Sequence, residues 1–148
     1  MLFRSAKTAI DNVAFACKLK KQLCVTAELN IHGHKINMDY TDALNMYGSD
    51  AEKIKQLIID QSVLAEKIHK SLPYTKAEVV WAVKEEMAIT VEDVLARRTR
   101  ALFIDAGAAI QAAPLVANLM AAILQKNYDW QQQQVKAFTA VANNYLLQ

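Results

Sequence analysis

Apolar and polar positions recur with a helical period over most of this chain. Between Arg4 and Cys17, the small or apolar residues Ala6, Ala9, Ile10, Val13, Ala14 and Cys17 fall at three- and four-residue intervals. That spacing predicts a helix with one apolar face. Lys18, Lys20 and Lys21 follow, where cations suit the negative end of the helix dipole. Leu23 to Ile31 carries the β-branched Val25, Thr26 and Ile31 and reads as one short extended segment. A lone strand would need pairing partners. His32 to Gly48 is the long irregular stretch, of a kind that is often functional or partner-facing.

Helix signals then crowd together. Ser49 and Glu52 have capping-box spacing and predict a helix to about Asp60. Ser62 predicts a short helix to about Lys70, and Leu72-Pro73-Tyr74 a turn. Thr75 and Glu78 make a second capping box, opening a helix to Ala88 with Val79, Val80, Val83 and Met87 inward. Thr90 caps the next helix, which ends near Arg100. Asp105 starts an alanine-rich helix that should end or kink before Pro114, with Pro114 opening another to Leu124. The small side chains from Ala106 to Ala122 predict a central, buried hairpin with closely approaching axes. Asp129 caps a last helix with Val135, Phe138, Val141, Ala142 and Tyr145 on one stripe. Gln131 to Gln134 read as a solvated part of that helix.

The predicted fold is therefore mostly α: a helical bundle of six to seven helices with one short extended segment near the N-terminus. Three glycines and two prolines among 148 residues leave few breaks in it. The length suits a single domain over residues 1–148, and 53% hydrophobic residues suit a real core. Seventeen basic and fifteen acidic side chains give +2, which makes no electrostatic case for nucleic acid or an acidic membrane. Ala112 to Leu124 is the best apolar run, and it falls short of the roughly 20 residues that span a bilayer. No secretory signal is visible after Met1. Cys17 and Cys24 read as reduced thiols. Together these point to a soluble, cytoplasmic protein.

Candidate chemistry is sparse. Gly33, Gly48 and Gly107 lie too far apart for a dinucleotide or phosphate cradle. No G-x-S-x-G elbow is present. No catalytic residue is assigned. His32 and His34, with Cys24 or His69, match no zinc spacing, so no metal is expected. Arg97, Arg98 and Arg100 form the sharpest charge cluster. They could bind an anion, or Thr75 to Arg100 could be a DNA-reading or protein-interaction module. The third reading is an internal ion-pair cluster. In it Asp93 pairs with Arg97 at i, i+4, and Glu85, Glu86 and Glu92 offer partners to Arg98 and Arg100.

Three ordered pieces carry a resemblance. They are Tyr47-Gly48-Ser49-Asp50-Ala51, Leu72-Pro73-Tyr74-Thr75 with Glu78-Val79 and Glu85-Glu86-Met87-Ala88, and Glu92 through Arg100 with Asp105-Ala106 and Ala112-Ala113-Pro114. Ile31-His32-Gly33 adds a strand-end signature. Covering nearly the whole chain, they resemble the C-terminal helical domain of FAD-dependent glycerol-3-phosphate dehydrogenase. The resemblance implies a cap domain, inactive alone, whose partner is the FAD and substrate domain of the same enzyme. It implies FAD in the parent and none in this chain, no nucleic acid, and a parent peripheral on the cytoplasmic membrane. Phe3-Arg4 looks like the end of the family's flavin-domain signature G-G-K-x-T-T-Y-R, with Phe for Tyr and the glycines missing. It makes Arg4 the remnant of a substrate-phosphate contact. Gly107 stands where the family usually has a larger residue, which weakens that helix.

Overall fold

Helix signals and alanine dominate the sequence, and helices dominate the computed structural model of the chain. The structure describes residues 2–20, 22–26 and 28–146, and of residues 2–4 the backbone alone. The expectations for Lys21 and for the Arg4 side chain therefore lie outside what is described. Contacts divide the chain into two compact units, residues 1–36 and 37–148.

The first unit holds α1, Leu2–Ala16. It follows the predicted apolar spacing. Among the described residues from Leu23 to Ile31 no strand forms; a turn from Glu28 N–H to the Val25 carbonyl, at 3.1 Å, breaks the segment instead. The expected extended segment thus finds no pairing partner among the described residues.

The second unit contains α2 (Ala51–Asp60), α3 (Lys76–Glu85), a π-helical segment (Asp93–Arg98), α4 (Ala101–Ile104), α5 (Ala106–Leu124) and α6 (Tyr128–Ala142). Short 3-10 turns occupy Asn45–Asp50, Ser62–Ala65 and Asn143–Tyr145. The mostly α, bundled fold is as expected. α5 packs against α6, α3 and α4. Its Ala109, Ala113, Val116, Ala117 and Met120 are fully buried, facing Phe138 and Ala142 of α6 in the same apolar cluster. A smaller cluster joins Leu44, Ile54, Leu64, Val80 and Trp81. Burying each large side chain contributes about 1.5–3 kcal/mol.

Several boundaries differ from expectation, each for a local reason. Ser49 does not cap α2: it lies within the 3-10 turn, and Asp50 holds the cap position without a side-chain cap bond. The helix from Ser62 stops at Ala65, because Lys67 and Thr75 form an antiparallel bridge. α3 ends at Glu85. Met87 adopts φ 56° and is exposed rather than inward, and Ala88 takes the buried position, its N–H donating to the Ala82 carbonyl at 2.9 Å. Asn127, not Asp129, caps α6, accepting from Trp130 N–H at 3.0 Å. Tyr145 lies beyond α6 and is exposed.

The largest difference is α5. It runs unbroken through Pro114, so the predicted helical hairpin is one 19-residue helix. Pro114 lies on the exposed side with Gln111 and Asn118. Its missing N–H therefore forfeits a bond on the solvent face, while the alanines on the other faces are held by packing. Unbroken, α5 is long and apolar enough by length and composition to cross a membrane. Here it is the core helix of the unit.

Candidate functional site

Both ends of α3 carry polar networks, and the sequence-predicted charge cluster belongs to one of them. At the N-terminal end the Thr75–Glu78 capping box forms. Glu78 Oε2 accepts from Thr75 N–H at 2.7 Å and from Thr75 Oγ1 at 3.0 Å. Tyr47 donates its hydroxyl to Glu78 Oε1 at 3.2 Å from 31 positions earlier. Glu78 is only 4% exposed. Burial pushes its carboxyl above the ordinary value, and the bonds from Thr75 and Tyr47 offset this only in part. The Tyr47 phenol is pushed up strongly by burial and by the Glu78 charge. This latch ties the 3-10 turn after the long loop to the start of α3.

At the C-terminal end lies the π-helical segment. Val94 O accepts both from Thr99 N–H at 2.9 Å and from Thr99 Oγ1 at 2.8 Å. The buried threonine thus supplies a second donor to the widened turn. Such turns often mark functional positions. Arg100 follows with φ 58°. Before the segment, Thr90 and Asp93 cap reciprocally: Asp93 Oδ2 accepts from Thr90 N–H at 2.9 Å and Ile89 N–H at 3.2 Å, and Thr90 Oγ1 accepts from Asp93 N–H at 3.1 Å. Burial raises the Asp93 carboxyl, but these bonds and the Arg97 charge outweigh it and leave it below the ordinary value. Gln134 of α6 accepts from Val91 N–H at 3.1 Å, so that glutamine is a cap rather than part of a solvated face.

The structure brings some cluster residues together and leaves others apart. Arg97 reaches Asp93 Oδ1 at 3.0 Å and Glu92 Oε1 at 2.8 Å. Arg98 lies 3.4 Å from Glu86 Oε2 and donates to the Glu86 backbone carbonyl at 2.7 Å, closing the end of α3. Among the described residues no ion pair joins Glu85 or Arg100 to the group; both are exposed. The Arg100 charge instead acts on Tyr74, whose phenol burial pushes up. Arg97 is about half exposed, so its pairs contribute about 0–1 kcal/mol. His69 pairs with Gln111 at 3.0 Å. Cys17 and Cys24 are exposed free thiols.

The Tyr47–Glu78 and Gln134–Val91 contacts escaped sequence reasoning. They join residues 31 and 43 positions apart, which no local pattern encodes. The Thr90–Asp93 cap was legible, since Thr-x-x-Asp has capping spacing.

These residues do not fit FAD. A dinucleotide cradle needs a glycine turn between a strand and a helix. Gly33 lies in a loop, buried Gly48 in a 3-10 turn and Gly107 inside α5, with no strand among the described residues.

Residues 24–135 match the family model for the C-terminal domain of alpha-glycerophosphate oxidase. The chain belongs to this family. Two curated relatives agree. A probable mitochondrial glycerol-3-phosphate dehydrogenase of Dictyostelium discoideum is 34% identical over 68% of this chain and 15% of its own length. A glycerol-3-phosphate dehydrogenase of Synechocystis is 46% identical over 36% of this chain and 10% of its own. The chain thus matches a small part of each relative. No solved structure matches it. The family match spans α2 through α5 and about half of α6, both networks around α3 included. A DNA-reading or independent interaction module is not favoured, since Arg97 and Arg98 already face carboxylates.

Proposed function

We propose that this chain is the cap domain of an FAD-dependent glycerol-3-phosphate dehydrogenase, packing on its FAD and substrate domain. The parent oxidises sn-glycerol 3-phosphate to dihydroxyacetone phosphate; the chain contributes support and no reacting group. The observation that carries this reading is the family match over residues 24–135, which contains nearly all of the buried core. FAD belongs to the partner domain, because no glycine-lined cradle exists here. The cluster of Asp93, Glu92, Arg97, Arg98 and Glu86 is structural on this reading: it closes α3 against the π-helical segment. Arg4 is the remnant of a substrate-phosphate contact that the partner domain completes. The parent sits on the cytoplasmic face of a membrane without crossing it through this chain, since α5 is committed to the core.

The test is direct. The purified chain should be colourless and should not oxidise glycerol 3-phosphate. Copurified flavin together with that activity would refute the reading.

A further inference from the structure

Of the clustered arginines, Arg97 and Arg98 face carboxylates, whereas Arg100 is exposed and makes no ion pair among the described residues. The Arg100 backbone is left-handed, at φ 58° and ψ 20°. A long side chain is costly there, and strain of this kind gathers at functional positions. Thr99 holds the turn in place, since its buried hydroxyl and its N–H both bond Val94 O just before Arg100. Tyr74 lies within reach of the Arg100 charge. Only 8% of Tyr74 is exposed, yet its hydroxyl makes no hydrogen bond among the described residues. No fully buried side-chain oxygen among them is left unpartnered, so this one opens to the surface. A residue buried to that degree with an unused polar atom calls for a partner. Glu78, whose charge Tyr74 also feels, is not that partner: its oxygens are taken by Thr75 and Tyr47.

We propose that Arg100 and the Tyr74 hydroxyl form an oxyanion site that takes a phosphate monoester. The guanidinium can only donate, and beside it the phenol presents its O–H. The guanidinium fork engages two oxygens in one plane. A phosphate group has a third oxygen for the phenol, whereas a carboxylate has none left. The monoester can be a soluble molecule or a lipid headgroup; the chemistry of recognition is the same. The site stands apart from the proposed function, which survives either result.

The full 148-residue chain is the material for the test. Its Arg100 side-chain NMR signal should move saturably with inorganic phosphate and with methyl phosphate, and far less with acetate. Arg100→Gly suits the left-handed turn. Read at the Tyr74 ring signals, it should weaken phosphate binding at least about tenfold, as the loss of charged hydrogen bonds does, without lowering the urea midpoint of unfolding. Tyr74→Phe removes an oxygen that bonds nothing in the protein. It should weaken phosphate binding roughly two- to tenfold at an unchanged midpoint. Arg97→Ala should leave binding unchanged. Phosphatidic acid vesicles separate the sources: a response to methyl phosphate makes a soluble monoester sufficient, and Arg100-dependent capture by vesicles alone makes a lipid headgroup the ligand. No response to either, acetate binding as tight as phosphate, or full binding by Arg100→Gly would overturn the proposal. So would a lower urea midpoint for Arg100→Gly, which would make Arg100 a structural residue.

Discussion

Residues 37–148 and residues 1–36 have similar apolar patterning and opposite outcomes. In the larger unit, helical spacing became burial: Phe138, Leu95, Met120 and Val116 lie at 0–1% exposure. In the smaller unit the same spacing left Ile10 and Val13 of α1 more than half exposed. Helical periodicity specifies which face is apolar. It does not specify what covers that face. In the larger unit α5 provides the cover, because its alanines let α3 and α6 approach closely. Among the described residues of 1–36 there is no comparable element.

Substitutions at buried positions of the larger unit should show the strongest side of this contrast. Phe138→Ala removes a fully buried ring and should cost about 3–5 kcal/mol in urea unfolding followed by Trp81 fluorescence. A loss below about 1 kcal/mol would mean that α6 is not part of the cooperative core. Ala113→Leu adds bulk at a position with 0% exposure and should cost about 1–3 kcal/mol.

The charged closure of α3 comes next. Arg98 is one-third exposed and bonds both the carboxylate and the carbonyl of Glu86. Arg98→Ala should therefore cost about 1–2 kcal/mol, less than a fully buried pair would. Arg97→Ala, at a half-exposed position, should cost less than Arg98→Ala in the same assay. The reverse order would place the structural weight on Asp93 instead.

Two carboxylates sharpen the comparison through pH. Glu78 has a folded value above the ordinary one, so its contribution is complete below the ordinary value and is lost as pH rises through the folded value. Asp93 has a folded value below the ordinary one, so its contribution is present above the ordinary value and is lost as pH falls through the folded value. Urea unfolding between about pH 3 and 7 should show opposite slopes. Wild type should lose ground to Glu78→Gln as pH rises, and should lose its advantage over Asp93→Asn as pH falls. Parallel curves would refute the assigned environments.

What was legible in the sequence followed range. The Thr75–Glu78 box, the Asp93–Arg97 spacing and the alanine packing of α5 are local signals, and each appears in the structure. The Pro114 break failed because burial on the remaining faces of α5 outweighed one lost backbone bond on its solvent side. Met87 failed because α3 ended one turn earlier than its periodicity implied, and a left-handed residue turned it outward. The Tyr47 partner of Glu78 had no local signature, since a bond across 31 positions exists only once the two segments have packed.

The smallest effect is the most discriminating. Ile10→Ala deletes as many carbons as many core truncations, yet its side chain already meets solvent over most of its surface. A truncation costs what it removes from packing and from burial. With little of either, Ile10→Ala should change unfolding of the isolated chain by less than about 0.5 kcal/mol. A loss of about 2 kcal/mol or more, typical of a core aliphatic, would show that residues 1–36 do bury α1 in solution. The contrast between the two units would then dissolve.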